Sequence, residues 1–277
     1  MKIGGIDIGS RYIKFVLLNN NHLFEFQRRE TGYRPLSVCR EIIDSCRPDK
    51  LVATGYGRYL LEVHGNVKTI TEIKAVAKGA KEIFQNCRTI IDIGGQDTKV
   101  ISLDEDGAVT NFEMNDRCAA GTGRFLEIMA KALNYNIEDF GNNCNNETIM
   151  LHSDTNDNKN NPPSPPFSKG GMGGFSGENR IVKINSLCTV FAESEVISLI
   201  SKGEKREVIA HAIHESTVNK VIALINRIDV KNDIVFTGGC AKNSCLKKMI
   251  EKRLKKHIYV HENPYIHAAY GAALFAR

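Results

Sequence analysis

Two short segments place an acid at the end of an apolar run and glycine in the turn that follows. They read GIDIGS at 5–10 and DIGGQDT at 92–98. Glycines let backbone N–H groups approach phosphate oxygens with no Cβ in the way. Carboxylates suit hydrated magnesium, because hard cations prefer carboxylate and water oxygens. The two segments therefore predict a site for a phosphate-bearing ligand and a divalent cation.

The residue types within these segments suggest individual roles. Asp7 and Asp92 are predicted to hold a hydrated magnesium ion, Ser10 to donate a hydroxyl, and Lys14 to place a positive charge near a phosphate. Neither segment is a P-loop, because GxxxxGK[ST] is absent. One such turn is weak evidence, but two of them, with a late TGG turn at 237–239, favour a phosphate site.

The elements that must position these residues follow from hydrophobic periodicity and turn residues. Strands are predicted at 2–8, 12–18, 22–28, 51–54, 89–95, 98–103, 107–113, 233–237 and 257–260. Helices are predicted at 36–46, 71–85, 190–202, 205–227, from about 242, and at 266–276. The DxG turn recurs after about 85 residues, which predicts two lobes of related strand-and-helix design.

Composition limits the possible classes. A chain of 277 residues exceeds the usual size of a single core, and 42% hydrophobic with 25% charged residues is typical of a globular protein. The sequence has no signal-peptide pattern and no run of about eighteen apolar residues, so we expect a cytoplasmic protein without membrane spans. The sequence also lacks the basic stripe interleaved with aromatic residues that is typical of nucleic-acid-binding proteins.

The segment 152–180 differs from the rest of the chain. It is rich in Asn, Pro, Gly and Ser and poor in aliphatic residues, so it cannot bury enough apolar surface to offset the entropy of ordering. We predict a disordered insertion in the second lobe. The predicted domains are 1–87 with 266–277 as the first lobe, and 88–265 as the second.

The three glycine turns together resemble the superfamily of acetate kinase, sugar kinases, Hsp70 and actin. The resemblance implies an α/β fold of two ribonuclease-H-like lobes, the actin-like ATPase fold, with ATP in the cleft between them. It also implies that the closing helix HAAYGAALFA packs back on the first lobe.

The resemblance extends to further site residues. Gln96 or Asp97 would orient the attacking water, and Asp97 would join the two strand-end acids in managing magnesium. Phosphate-holding residues of the two turns would be Gly9, Ser10, Lys14, Gly94, Gly95 and Thr98. In the late turn, Gly238 and Gly239 would border the adenosine.

Two cysteine-containing segments, NDRCAAGTGRFLE and CTVFAESEVISLI, resemble one branch of this superfamily. That branch is the activator component of 2-hydroxyacyl-CoA dehydratases, with the ATPase subunits of benzoyl-CoA reductases. IDIGGQDTK, TGYGR and TEIKAVAKGA resemble the same branch. The resemblance implies that Cys118 and Cys188 of each subunit of a homodimer jointly hold one 4Fe–4S cluster.

General chemistry agrees with that ligand set. A 4Fe–4S cluster takes four thiolates, and two per chain in a two-fold dimer give that number. Both cysteines precede predicted helical runs, 119–133 and 190–202, and a helix N-terminus stabilises a thiolate. None of the eight cysteines lies in a CxxC or CxxH pair, so a self-contained zinc finger is not available.

The expected function is therefore an ATP-hydrolysing one-electron donor to a 2-hydroxyacyl-CoA dehydratase-type or benzoyl-CoA reductase-type partner. The resemblance implies ATP and Mg²⁺ as ligands and a ferredoxin or flavodoxin as the electron source. Three alternatives stay open: a sugar-type kinase or BadF/BadG-like ATPase without a redox role, an actin- or chaperone-like nucleotide switch, and a dimer bridged by zinc.

Overall fold

The computed structural model describes residues 1–20, 22–117, 119–142, 182–184 and 189–277. Cys118, Cys188 and the insertion predicted at 152–180 lie outside the described residues. What the sequence predicts for them therefore stays a prediction.

A first five-stranded sheet is built from the N-terminal part of the chain. Its strands are β1 (Lys2–Ile8), β2 (Tyr12–Asn19), β3 (His22–Glu30), β4 (Lys50–Thr54) and β5 (Lys68–Thr69). The helices of this part are α1 (Pro35–Cys46), α2 (Arg58–Gly65) and α3 (Glu72–Ile83). The strand order is β3-β2-β1-β4-β5; β1, β2 and β3 pair antiparallel, and β4 and β5 continue the sheet in parallel.

A second five-stranded sheet repeats this arrangement. Its strands are β6 (Thr89–Ile93), β7 (Thr98–Leu103), β8 (Val109–Asn115), β9 (Ile234–Thr237) and β10 (Ile258–Val260), in the order β8-β7-β6-β9-β10. Its helices are α4 (Gly123–Ala132), α5 (Ile137–Asn142), α6 (Thr189–Ser201), α7 (Arg206–Ile225) and α8 (Ser244–Leu254), with a 3₁₀ turn at Gly239–Lys242. The pairing directions match those of the first sheet, which confirms the α/β fold of two ribonuclease-H-like lobes.

The last helix, α9 (His267–Leu274), returns to the first sheet. Ala269 and Ala273 of α9 share a core cluster with Ile3 of β1 and Val16 of β2. Small residues make this contact possible, because a Cβ on Gly5 would overlap the carbonyl oxygen of Ala269. The exact lobe boundaries stay a prediction.

Helix α9 also crosses α3 at two glycines. A Cβ on Gly271 would overlap the carbonyl oxygen of Ala75, and a Cβ on Gly79 would overlap that of His267. The two backbones therefore approach as closely as their atoms permit. Since α3 packs on the second sheet through Val76 and Ala80, the α3–α9 crossing joins the two sheets.

Helix α4 and strand β8 start later than expected from the sequence, and several other elements differ from expectation by one or two residues. Helix α4 begins at Gly123 instead of 119, because Gly121 adopts a left-handed φ of +95° and the Thr122 N–H closes a turn on Ala119 O at 3.0 Å. Strand β8 begins at Val109 instead of 107, because Gly107, with φ of +85°, belongs to the preceding turn. Helices α2 and α5 and strand β5 were not predicted. Among the described residues, no helix combines the length and apolar composition needed to cross a membrane.

The helix crossing yields the first prediction. Gly271→Ala should lower the free energy of unfolding by about 1–3 kcal/mol or more, because the added methyl meets rigid backbone. Gly65→Ala is the matched control: it is helical and exposed, and its Cβ would meet only Val67 Cγ2 at 3.3 Å. That change should be neutral or stabilising by up to about 1 kcal/mol. Chemical denaturation of both variants measures the difference, and equal stability would contradict the close crossing.

Candidate functional site

Each predicted phosphate turn carries an acid paired with a lysine. Asp7 of β1 lies opposite Lys14 of β2, and Asp92 of β6 lies opposite Lys99 of β7. The Lys14 Nζ is 2.8 Å from Asp7 Oδ2, and the Lys99 Nζ is 3.5 Å from Asp92 Oδ2. The sequence analysis missed Lys99, although its signal was present: in DIGSRYIK and in DIGGQDTK, a lysine follows the acid at the same spacing.

Lys99 is the more heavily paired of the two lysines. Its side chain is only 2% exposed, and besides Asp92 it contacts Asp97 Oδ1 at 2.8 Å and Glu72 Oε1 at 3.0 Å. Burial by itself lowers the pKa of Lys99, but the three carboxylates raise it above its ordinary value. Lys99 is therefore a permanent cation that holds three acids together.

Glu72 is the second residue that sequence reasoning missed. It is the first residue of α3, so it comes from neither turn; it lies in the TEIKAVAKGA segment, but nothing in that pattern assigns it a role at the site. The pKa of Glu72 is raised to about 7, because burial raises it, Lys99 lowers it only in part, and Asp7, Asp97 and Asp92 raise it as well. Near neutral pH this carboxyl group is poised between its protonated and ionised forms.

These groups do not balance in charge. The site contains four carboxylates and two ammonium groups: Asp7, Glu72, Asp92, Asp97, Lys14 and Lys99. When all are ionised, the site has an excess of two negative charges. Such an excess in a buried place is costly unless it is protonated or neutralised by a cation.

The parallel strand next to each acid ends in threonine, but the two lobes use it differently. In the second lobe, the Thr237 hydroxyl donates to Asp92 Oδ1 at 2.9 Å. In the first lobe, Thr54 lies in the same register beside Asp7. There, neither Asp7 Oδ1 nor Thr54 Oγ1 has a hydrogen-bond partner among the described residues, although both atoms are buried. The first lobe thus keeps an unused carboxylate oxygen.

The two turns have the same backbone design and face each other. The Gly9 N–H donates to Tyr12 O at 3.2 Å, and the Gly94 N–H donates to Asp97 O at 2.9 Å. A Cβ on Gly95 would lie 3.6 Å from Ser10 Oγ. The two predicted phosphate turns therefore meet across the space between the lobes.

A cavity of about 970 Å³ opens beside the first turn. Ser10 from one lobe and Gln96 from the other both line it, together with Tyr56 and Arg58 of the TGYGR segment. Lys14 lies at the same turn, since a Cβ on Gly9 would be 2.9 Å from its Nζ. The predicted hydroxyl, amide and ammonium groups are therefore close enough to act on one ligand.

The late glycine turn borders this region from the second lobe. Gly238 has a φ of +85°, and a Cβ there would overlap Ile93 O and lie 2.7 Å from Asp92 Oδ1. Because Gly238 has no side chain, this turn can pack directly against Asp92. A Cβ on Gly239 would meet nothing within 4 Å, so this residue borders open space.

The segment that follows Cys118 is fixed to the second turn by backbone bonds. The Gly123 N–H donates to Gly94 O, and the Arg124 N–H donates to Gly95 O, both at 2.9 Å. The Thr98 hydroxyl donates to Gly121 O, also at 2.9 Å. The phosphate contact predicted for Thr98 would have to replace this bond.

The other cysteine segment leads into α6, whose first residue, Thr189, directly follows Cys188. Helices α4 and α6 belong to one core cluster, in which Phe125 and Leu126 join Ala192 and Val196. Within the described part of the chain, no group of three or more His, Cys, Asp or Glu side chains is arranged to hold a metal ion.

Known proteins resemble this chain over almost its whole length. The (R)-2-hydroxyglutaryl-CoA dehydratase component A of Acidaminococcus fermentans has 35% identity and a TM-score of 0.79, covering 100% of this chain and 97% of that one. The activator of the 2-hydroxyisocaproyl-CoA dehydratase from Clostridium difficile with bound ADPNP has 36% identity and a TM-score of 0.78, covering 100% and 94%. The activator of lactoyl-CoA dehydratase of Anaerotignum propionicum is 37% identical, covering 98% and 96%.

The family comparison agrees with these relatives and with the paired turns of the site. Residues 5–276 match the BadF/BadG/BcrA/BcrD ATPase family. The chain belongs to that family.

Proposed function

We propose that this protein is an ATP-dependent activator that passes single electrons to a 2-hydroxyacyl-CoA dehydratase or benzoyl-CoA reductase-type partner. The main support for the proposal is that the candidate phosphate site and the segment after Cys118 are directly connected. Two Asp–Lys turns face each other with an excess of negative charge, and the segment after Cys118 is bonded to one of them through Gly94 and Gly95. The activator names of the relatives support the proposal.

The first acid fits a magnesium ion. Asp7 Oδ1 is a buried carboxylate oxygen without a partner among the described residues, and a divalent cation would offset the two excess negative charges. Mg²⁺ commonly uses one or two carboxylates, with water and phosphate completing its shell. When bound, it neutralises charge that develops on a transferring phosphoryl group.

The remaining side chains of the turns would act on the nucleotide. Lys14 and Ser10 would hold phosphate oxygens, with the backbone of Gly94 and Gly95 on the facing side. Gln96 would orient the attacking water from the rim of the cavity. Asp97 is already engaged by Lys99, which makes it the weaker candidate for that role. Gly239 would border the adenosine.

Cys118 and Cys188 of two subunits would supply the four thiolates of one 4Fe–4S cluster. Such a cluster supplies one-electron transfer at low potential. A homodimer is supported by α6, the helix after Cys188, because Ile197 and Ile200, one turn apart on the same face, are 54% and 45% exposed there. Neighbouring apolar side chains exposed on one face are typical of interaction sites. A second copy of the chain would cover them.

ATP hydrolysis would be coupled to electron delivery through α4. Because the Gly123 and Arg124 amides are bonded to the second turn, a change in that turn would move the start of α4 and the segment that precedes it.

The partner named by the relatives is a dehydratase, and a ferredoxin or flavodoxin would supply the electron. We place the protein in the cytoplasm.

The metal assignment gives a prediction about Asp7. Asp7→Asn should lower ATP turnover by about 10²-fold or more and raise the magnesium concentration needed, because it removes the charged oxygen from the cation site. Asp92→Asn should lower turnover without shifting the magnesium requirement, since Asp92 is bound to Thr237 and Lys99. Asp44→Asn, on the exposed side of α1, is the control.

Phosphate release measured over a magnesium titration tests this prediction. Wild-type turnover in Asp7→Asn would contradict the metal site. Turnover that rises sharply when a sugar is added would favour the kinase alternative over the activator.

The raised pKa of Glu72 predicts a pH dependence of stability. The folded protein keeps a proton on Glu72 that the unfolded chain loses above about pH 4.5. The free energy of unfolding should therefore fall as pH rises from about 4.5 to about 7, by on the order of 2–3 kcal/mol. Glu72→Gln cannot ionise and should lose this dependence. Denaturation without divalent cations, at several pH values, measures it; parallel curves for the two proteins would refute it.

The cluster assignment predicts the iron content of cysteine variants. Cys118→Ala or Cys188→Ala removes two of four thiolates from a dimer, so neither variant should retain the wild-type value of about four irons per dimer. ATP binding should survive, because neither cysteine is assigned to the nucleotide. Cys39→Ala is the control: Cys39 is a buried free thiol of α1, and burial raises its pKa to about 11.

Anaerobic iron and sulfide assays, with electron paramagnetic resonance of the reduced proteins, measure the outcome. Full iron in either of the two variants would place the cluster elsewhere. A wild type that stays free of iron after anaerobic reconstitution would end the redox proposal.

A further inference from the structure

Arg11 lies directly after Ser10 in the first phosphate turn and has two carboxylate partners. Its Nη2 is 3.7 Å from Glu30 Oε1, and its Nε is 3.6 Å from Glu127 Oε1. Glu30 ends β3 in the same lobe, opposite Tyr12. Glu127 belongs to α4 of the second lobe. One guanidinium is thus shared between its own lobe and the facing lobe.

Glu127 is shared in the same way. While its Oε1 faces Arg11, its Oε2 accepts from Arg124 Nη1 of its own helix at 3.3 Å. If the lobes separated, Arg11 would keep Glu30 and Glu127 would keep Arg124. Each partner therefore has a replacement within its own lobe, and breaking the Arg11–Glu127 contact leaves neither charge alone.

Helix α4 is attached to the two turns by bonds of unequal strength. Two backbone hydrogen bonds, from Gly123 and Arg124, hold it to the second turn. The Arg11–Glu127 contact, between side chains that are 43% and 29% exposed, holds it to the first. Exposed ion pairs are weak, so opening of the cleft breaks this contact and leaves the backbone bonds in place.

We propose that Arg11 and Glu127 are positioning residues that report closure of the two phosphate turns to α4, and that Glu30 holds Arg11 in both the closed and the open form. The proposal rests on the proposed function, in which α4 leads from the nucleotide to the cluster ligands. Because the Arg11–Glu127 contact belongs to the closed form alone, a ligand that favours closure is coupled to it.

Two matched carboxamide variants test the contact. Glu127→Gln weakens the contact that favours closure, so it should raise the apparent Kd for Mg-ATP by about two- to fivefold, the change expected for one exposed ion pair. Glu30→Gln weakens a contact that both forms keep, so it should change the Kd less than Glu127→Gln does. The double variant should resemble Glu127→Gln. Arg124→Ala, whose backbone bond to Gly95 is unchanged, should bind Mg-ATP with an affinity closer to wild type than that of Glu127→Gln.

Two further readouts separate positioning from a general structural effect. Hydrogen exchange of the peptide 119–127 should be protected by Mg-ATP less in Glu127→Gln than in wild type, and about as much in Glu30→Gln as in wild type. Iron content should be the same in all variants. The number of electrons delivered per ATP should fall in Glu127→Gln.

The outcomes distinguish the two proposals. Affinity that is unchanged in Glu127→Gln, or shifted equally in Glu127→Gln and Glu30→Gln, would overturn the role of Arg11 and Glu127 while leaving the ATPase assignment intact. A wild type that does not bind Mg-ATP would overturn the proposed function itself.

Discussion

A buried cluster of four carboxylates and two lysines, with an excess of negative charge, lies where the two lobes meet. Lys99 holds Glu72, Asp92 and Asp97 within ion-pair distance, and Lys14 holds Asp7. Taking ions out of water costs several kcal/mol each, and apolar side chains of similar volume would often be as stable or more so. The arrangement is therefore poor as a device for stability. The arrangement suits a binding site in which a cation neutralises the excess charge and an anionic ligand binds beside it.

The α3–α9 crossing explains how Glu72 reaches that site. Glu72 begins α3, and α3 is held against α9 where Gly79 and Gly271 allow the two backbones to touch. A larger residue at either glycine would push α3 away from the first sheet and shift the carboxylate relative to Lys99. The terminal helix, which contributes no side chain to the candidate site, thus helps to set the geometry of its charges.

Local patterns in the sequence predicted much of the fold. Nine of the ten described strands, the repeated DxG turn and the terminal helix are recognisable because each depends on residues close together in the chain, whereas the return of that helix to the first lobe was implied by the family resemblance. Glu72 was missed because its partner Lys99 comes from another element, and no spacing rule links a helix start to a strand in the next lobe. The start of α4 was missed because the left-handed Gly121 interrupts a run whose periodicity looks helical. Lys99 could have been predicted, since aligning the two DxG turns places it at the position that corresponds to Lys14.

The two lobes are nearly symmetric, but the hydrogen bonding of their strand-end acids, Asp7 and Asp92, is different. In the second lobe, Thr237 and Lys99 occupy both oxygens of Asp92, so that acid is internally satisfied. In the first lobe, Lys14 occupies Asp7 Oδ2, while Oδ1 and the neighbouring Thr54 hydroxyl have no partner among the described residues. Besides the additional acids that Lys99 contacts, the two copies of one hairpin design thus differ at this carboxylate oxygen. A cation placed there lies on the first-lobe side of the cleft, opposite the turn to which α4 is bonded. Nucleotide phosphates between the two turns would then draw the cation-bearing lobe towards the α4-bearing lobe, which is the motion that the proposed coupling through α4 would use.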